Sequence, residues 1–182
     1  MTAPTLGFLC GSLRTGSINA KLEAALMARA EKAGAVIKKL NLAAYDLPIF
    51  HGDLEQPKAV MQLKADLRAC DGVIIITPEY NGSLPALLKN AIDWVSTTGS
   101  EQFEEPVFGI ASCTPGAMSG IMVLRELNYI LTRVGAQVVT PHVGTGQADT
   151  AFNAAGDLIA QPSSDLADAM IAGLLARISQ KG

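Results

Sequence analysis

A doubly wound α/β fold, with a parallel sheet between two layers of helices, is what this sequence predicts. Two observations carry the prediction. Apolar runs of strand length alternate with helical segments along the whole chain in the order βαβαβαβαβα, joined mostly by short connections. One run, GVIIIT at 72–77, is so continuously β-branched that it fits a strand buried on both faces. The 182 residues are enough for a full core in one domain spanning 1–182.

The elements follow in order. PTLGFLC at 4–10 is a buried strand. From Ile18 the apolar positions Leu22, Ala25, Leu26, Ala30 and Ala33 recur at helical spacing, and Gly34 ends that helix. AVIKKLNL at 35–42 alternates apolar and polar residues and so belongs nearer a sheet edge. Residues 43–56, with Pro48 and Gly52, predict a long loop, and 57–69 a helix with Pro57 at its first position. After the central strand come a helix at 84–97, a strand at 106–112 and a helix at 120–134 ending at Gly135. A fifth strand at 136–140 and a last helix at 164–180 close the chain.

Composition narrows the function. The net charge is −3 with no basic run, which argues against nucleic acid as a partner. No apolar run approaches the ~18 residues of a membrane span, and the first residues lack the basic region of a signal peptide. Cys10, Cys70 and Cys113 form no CxxC pair and predict reduced thiols in a cytoplasmic protein. Only 17% of residues are charged, which favours burial of surface between subunits, although the many alanines also inflate the apolar share.

Parallel sheets of this kind bind ligands at the carboxyl ends of their strands, where the strand order reverses. Three loops lie there: 11–17, 78–83 and 112–119. The first reads GSLRTGS and opens a helix, whose free N–H groups and dipole favour an anion. Gly11 and Gly16 allow close backbone approach, Ser12, Ser17 and Asn19 supply short donors, and Arg14 is a planar fork suited to phosphate. The glycines match the spacing of a P-loop, but Ser17 stands where its Lys belongs and Ile18 where its hydroxyl belongs. One phosphate without Mg²⁺ is therefore the ligand that suits the loop. A plain Gly/Ser turn capped by Ser17 is the competing explanation. The second loop, PEYNGS, carries Asn81–Gly82, a pair that takes positive φ readily, and Ser83 is placed to cap the next helix. Such a turn lines up backbone N–H groups along the edge of a flat heterocycle, with Tyr80 beside its face. The segment GTGQAD at 144–149 has only half of a dinucleotide fingerprint and predicts a turn.

GSLRTGSIN resembles the pattern G-S-x-R-x-x-S-x-N, and PEYNGSLPALLKNAIDW resembles P-E-Y-N-x-S-x-P-x-x-L-K-N-A-I-D-W. The pair is similar to the NADPH-dependent FMN reductases, a flavodoxin-like group that includes quinone and chromate reductases. The resemblance implies a three-layer sandwich with a five-stranded sheet of order 2-1-3-4-5. It implies that Ser12, Arg14, Ser17, Ile18 and Asn19 bind the phosphate of FMN, and that Pro78, Glu79, Tyr80, Asn81, Gly82 and Ser83 surround its ring and ribityl chain. Ser112 and Gly116 of the third loop complete the expected cofactor site. It further implies a homodimer or homotetramer with the flavin near the subunit interface.

The third loop departs from the family pattern. Ala117 follows Gly116, Met122 and Leu124 stand where the family commonly has Arg and Gln, and Asn128 and Thr97 replace two further arginines. The implied chemistry is ping-pong hydride transfer from NADPH or NADH through flavin N5 to a small acceptor: a quinone, chromate, an azo compound or free flavin. The cofactor carries that reaction, so no side chain is expected as catalytic acid or base, and no metal site is expected. No GxSxG or HExxH occurs, and His51 and His142 are far apart. An electron carrier without NAD(P)H turnover, or a flavin-binding module, is the alternative.

Overall fold

The computed structural model describes residues 2–181. Strands β1 (Thr5–Cys10), β2 (Val36–Leu40), β3 (Gly72–Ile76) and β4 (Val107–Cys113) run parallel, and every residue of β3 and β4 is buried. With a short fifth strand, β5 (Gln137–Val138), the sheet order is β2-β1-β3-β4-β5, as the resemblance implies for a flavodoxin-like fold. GVIII sits at the centre because its branched side chains are apolar on both faces. The strand with two lysines sits at the edge, where Val36 and Lys39 are exposed.

Helices α1 (Ile18–Lys32) and α7 (Ser163–Ser179) cover one face, packing Leu22, Leu26, Met170 and Leu174 against Phe8, Ile74 and Ile76. Helices α2 (Lys58–Arg68), α3 (Ala86–Ser96) and α5 (Ile121–Arg133) cover the other, packing Leu63, Leu88, Trp94 and Leu127 against Leu9, Ile75, Phe108 and Ile110. Two short helices, α4 (Glu101–Glu104) and α6 (Ala148–Ala151), were not legible in the periodicity, which one turn is too short to reveal. No helix among the described residues is long and apolar enough to cross a membrane.

The fifth strand is the main correction. It was expected at 136–140, but only Gln137–Val138 (β5) pairs there, beside Val107 and Phe108. Pro141 has no N–H, so the ladder cannot run on through it. Pairing resumes at Val143–Thr145 (β6), beside Ala111–Cys113. Gly144 and Thr145 of GTGQAD are thus strand residues, not part of a turn.

The long loop 43–56 is anchored on α3. The Trp94 indole N–H donates to the Pro48 carbonyl at 2.7 Å, and Phe50 meets the indole edge-on at 4.9 Å. The Asn90 amide donates to the same carbonyl at 2.9 Å and accepts from the Phe50 N–H at 2.8 Å. Trp94 therefore belongs to the core, with Leu84, Leu88 and Ile92, while Lys89 and Asp93, one turn apart on α3, form a surface pair at 2.7 Å.

Candidate cofactor site

The three loops leave the carboxyl ends of β1, β3 and β4, three adjacent strands, and the ladder extends into their first residues. The Gly11 N–H donates to Ile76 O at 2.8 Å and the Thr77 N–H to Ala111 O at 2.9 Å. Gly11 is also held by packing. A Cβ there would lie 3.2 Å from Pro85 and 3.4 Å from Leu88, so the glycine lets the first loop pack on the start of α3.

In the first loop a turn closes from the Ser17 N–H to Arg14 O at 3.1 Å, with Gly16 at φ +70°. Ser17 is the N-cap of α1: its buried Oγ accepts from the Asn19 and Ala20 N–H groups at 3.2 and 3.4 Å. Its hydroxyl hydrogen has no acceptor among the described residues. The Ile18 N–H has no acceptor among the described residues. Arg14 is exposed and has no carboxylate partner among them, and Ser12 is half-buried. A helix start, a hydroxyl donor and an unpaired guanidinium form a donor set that fits a phosphate dianion.

Asn19 is placed differently from the expectation. It is buried, its Oδ1 accepts from the Cys113 N–H and its Nδ2 donates to the Cys113 carbonyl, both at 2.9 Å. It braces the start of α1 against the end of β4 and keeps one Nδ2 hydrogen outside that pair.

The second loop is a two-residue hairpin. Tyr80 and Ser83 exchange N–H···O bonds at 3.0 Å in both directions, and Asn81 and Gly82 take φ of +53° and +79°. Positive φ at both central positions is the turn that Asn-Gly favours. The Asn81 and Gly82 N–H groups have no acceptor among the described residues, which leaves them free for the heteroatoms of a ring edge. Pro78 is buried and Tyr80 is half-exposed. Ser83 does not cap α3, which begins at Ala86 after Pro85; its Oγ donates to Glu126 Oε1 at 3.0 Å. Glu79 also has a partner: its Oε2 accepts from the Met122 and Val123 N–H groups at the start of α5, both at 3.1 Å.

In the third loop Ser112 is the penultimate residue of β4, fully buried beneath Gly120, and its Oγ has no partner among the described residues. Gly116 is exposed, and its carbonyl accepts from the Gln147 N–H at 3.2 Å, so the segment after β6 supports this loop. Of the positions that depart from the family pattern, Met122 is exposed whereas Leu124 lies in the core. Sequence reasoning missed Glu126. It falls in none of the three loops, and only the packing of α5 brings it to the hairpin.

Burial pushes the Cys113 thiol up to about 12, although it lies in the third loop's stem. The Cys10 and Cys70 thiols are raised as well, burial again being the main cause. At pH 8 the thiolate fraction of Cys113 is then about one in ten thousand, and reaction through it is correspondingly slow. The folded protein is expected to resist iodoacetamide at this residue while the guanidine-unfolded chain is alkylated. Mass mapping checks this, and rapid native labelling of Cys113 would contradict its burial.

Two neighbouring loops with free donors, at the switch point of a 2-1-3-4-5 sheet, are what a flavodoxin-like flavoprotein presents. Comparison with known proteins gives the particular group. Residues 4–150 match the family model of the NADPH-dependent FMN reductases, and the chain belongs to that family. It is 35% identical to a quinone reductase of Escherichia coli K12 over 135 residues, covering 72% of this chain and 71% of that protein. It is 31% identical to an NAD(P)H-dependent FMN reductase of Pseudomonas aeruginosa over 165 residues, covering 87% and 86%. Among solved structures it resembles the flavoenzyme NAD(P)H:(acceptor) oxidoreductase FerB of Paracoccus denitrificans, with TM-score 0.81, 28% identity and 98% of each chain covered. The protein is an oxidoreductase that uses FMN and NAD(P)H.

Proposed function

We propose that residues 1–182 form one FMN-binding unit that passes reducing equivalents from NADPH or NADH to a small acceptor of the quinone or azo class. The observation that carries this is the pairing of the Arg14–Ser17–Ile18 donor set with the free Asn81 and Gly82 N–H groups on neighbouring loops. Bound FMN supplies hydride acceptance and donation at its N5. The chain's own residues bind and orient it. Ser12, Arg14, the Ser17 hydroxyl and the Ile18 N–H hold the phosphate, with Asn19 fixing the helix start behind them. Pro78 to Ser83 seat the ring, with the Asn81 and Gly82 N–H groups as donors for the negative charge that reduction adds. Ser112 and Gly116 belong to the third wall.

The acceptor assignment draws support from relatives named quinone reductase in Escherichia coli and NADPH azoreductase in a Bacillus strain. The exposed apolar side chains at this end of the molecule, Leu13, Tyr80, Met118 and Met122, suit an uncharged aromatic acceptor. Met122 and Tyr129 on α5 are 52% and 67% exposed, and Met118 in the loop before it 69%, which favours a homodimer or homotetramer covering that face. Three free cysteines favour a reducing, cytoplasmic compartment.

The purified protein should show a flavin absorption spectrum that bleaches on anaerobic addition of NADPH or NADH and recovers with a quinone. A colourless protein that gains nothing from added FMN would overturn the proposal. Arg14→Ala should weaken FMN binding by about 10- to 100-fold, the worth of one charge-assisted phosphate contact, because the helix start remains. Titration of apoprotein by flavin fluorescence measures this, and unchanged affinity would remove Arg14 from the site.

A further inference from the structure

Two carboxylates cross in opposite directions between the hairpin loop and α5. Glu79, at the entry to the hairpin, accepts from the Met122 and Val123 N–H groups at 3.1 Å. Glu126, one turn further into α5, accepts from Ser83 Oγ at 3.0 Å and from the Leu84 N–H at 2.9 Å at the hairpin's exit. Neither helix start has a side-chain cap of its own. The N-cap of α5 is Gly120 and that of α3 is Pro85. Glu79 therefore supplies to α5 the hydrogen bonds that a cap residue would normally give, and Glu126 holds Ser83 and Leu84, the two residues before the N-cap of α3.

The hairpin between these points is closed by the two reciprocal Tyr80–Ser83 bonds and has a two-residue turn. Those bonds fix the hairpin internally, so its orientation on the fold is set by what holds its two ends. α5 grips both ends. The third loop runs directly into α5 through Gly120, so the tilt of the hairpin and the placement of the third loop are coupled through these two side chains.

We propose that Glu126 is a positioning residue for the flavin: it sets the tilt of the Tyr80–Ser83 hairpin, and through it the direction of the Asn81 and Gly82 N–H groups. This rests on the assignment of the ring to residues 78–83 under the proposed function. Geometry rather than charge is what the site requires of Glu126. A glutamine there can accept from the Leu84 N–H through its oxygen and donate to Ser83 Oγ through its nitrogen, since a hydroxyl both gives and takes. An alanine can do neither.

The test compares Glu126→Ala and Glu126→Gln with the wild-type protein. FMN affinity is measured by titrating apoprotein, the flavin midpoint potential by anaerobic reductive titration, and amide hydrogen exchange at Leu84 in the apoprotein. Glu126→Ala should weaken FMN binding about tenfold or more, shift the potential and speed exchange at Leu84 by about tenfold or more. Glu126→Gln should restore all three to within about threefold of wild type. FMN affinity and potential unchanged in Glu126→Ala would overturn the proposal, as would a glutamine variant as impaired as the alanine one. The exchange measurement needs no flavin. Wild-type apoprotein that takes up no FMN would overturn the ring assignment, and faster exchange at Leu84 in Glu126→Ala would still support the Glu126 grip on the hairpin.

Discussion

Asn19→Ala is expected to lower the stability of the protein by about 3 kcal/mol and to weaken FMN binding at the same time. The side chain is buried and occupies both the N–H and the carbonyl of Cys113 at 2.9 Å. Removing it orphans two buried backbone groups, each worth about 1–3 kcal/mol when left unpaired. It also detaches the start of α1 from β4, so the helix end that faces the phosphate loses its fixed position. Against a total stability of about 5–15 kcal/mol the loss is large, and the melting temperature should fall by about 6–12 °C. Denaturant unfolding measures the first effect and flavin titration the second. A variant as stable as wild type would show that the Cys113 backbone finds other partners. Asn19→Asp should not rescue, because it keeps the acceptor, loses the donor and buries a charge.

Gly120→Ala should be of similar or larger cost, about 4 kcal/mol. Two physical terms add. Gly120 has φ +71°, a conformation that costs an L-residue about 1–2 kcal/mol. A Cβ there would also lie 2.6 Å from Ser112 Cβ and closer still to Ser112 Oγ, an overlap that costs about 1–3 kcal/mol to relieve. Relief requires α5 to lift off β4 at its first residue, which also disturbs the third loop and the Glu79 and Glu126 contacts. The double variant Ser112→Gly/Gly120→Ala should recover the steric part and leave the backbone part, giving a coupling of about 2 kcal/mol in a double-mutant cycle. Additive losses in that cycle would mean that the two residues do not meet.

The fold was largely legible because local rules and burial agree in this chain. GVIII is apolar at every position and lies at the centre of the sheet, dry on both sides as β4 is, whereas VIKKL carries two lysines and takes the edge. The fifth strand misled because pattern reading sees the apolar run AQVVT but not the ladder. The missing N–H of Pro141 divides the strand, and its continuation, VGT, is too short to register as an element. In the site, Asn81–Gly82 was legible because positive φ is a property of those two residues. The roles of Ser83, Glu79 and Asn19 were not, because each depends on what the fold sets opposite it. Ser83 meets Glu126 from α5, and Asn19 meets Cys113 from β4, 94 residues away.

By itself, then, the sequence determined the order of elements, the loops that would gather at the carboxyl edge of the sheet, and the residue types offered there to a phosphate and a flat ring. Those follow from propensity and periodicity, which act over a few neighbouring residues. The tertiary structure decided which of those residues remain free. Hydrogen bonds between distant segments engage Asn19, Glu79 and Ser83 in holding the loops, and leave Arg14, Ile18, Asn81 and Gly82 with open donors. A polar group's availability to a ligand depends on the partner packed against it, and that partner is set by the sheet order and helix packing, not by the motif in which the group is found.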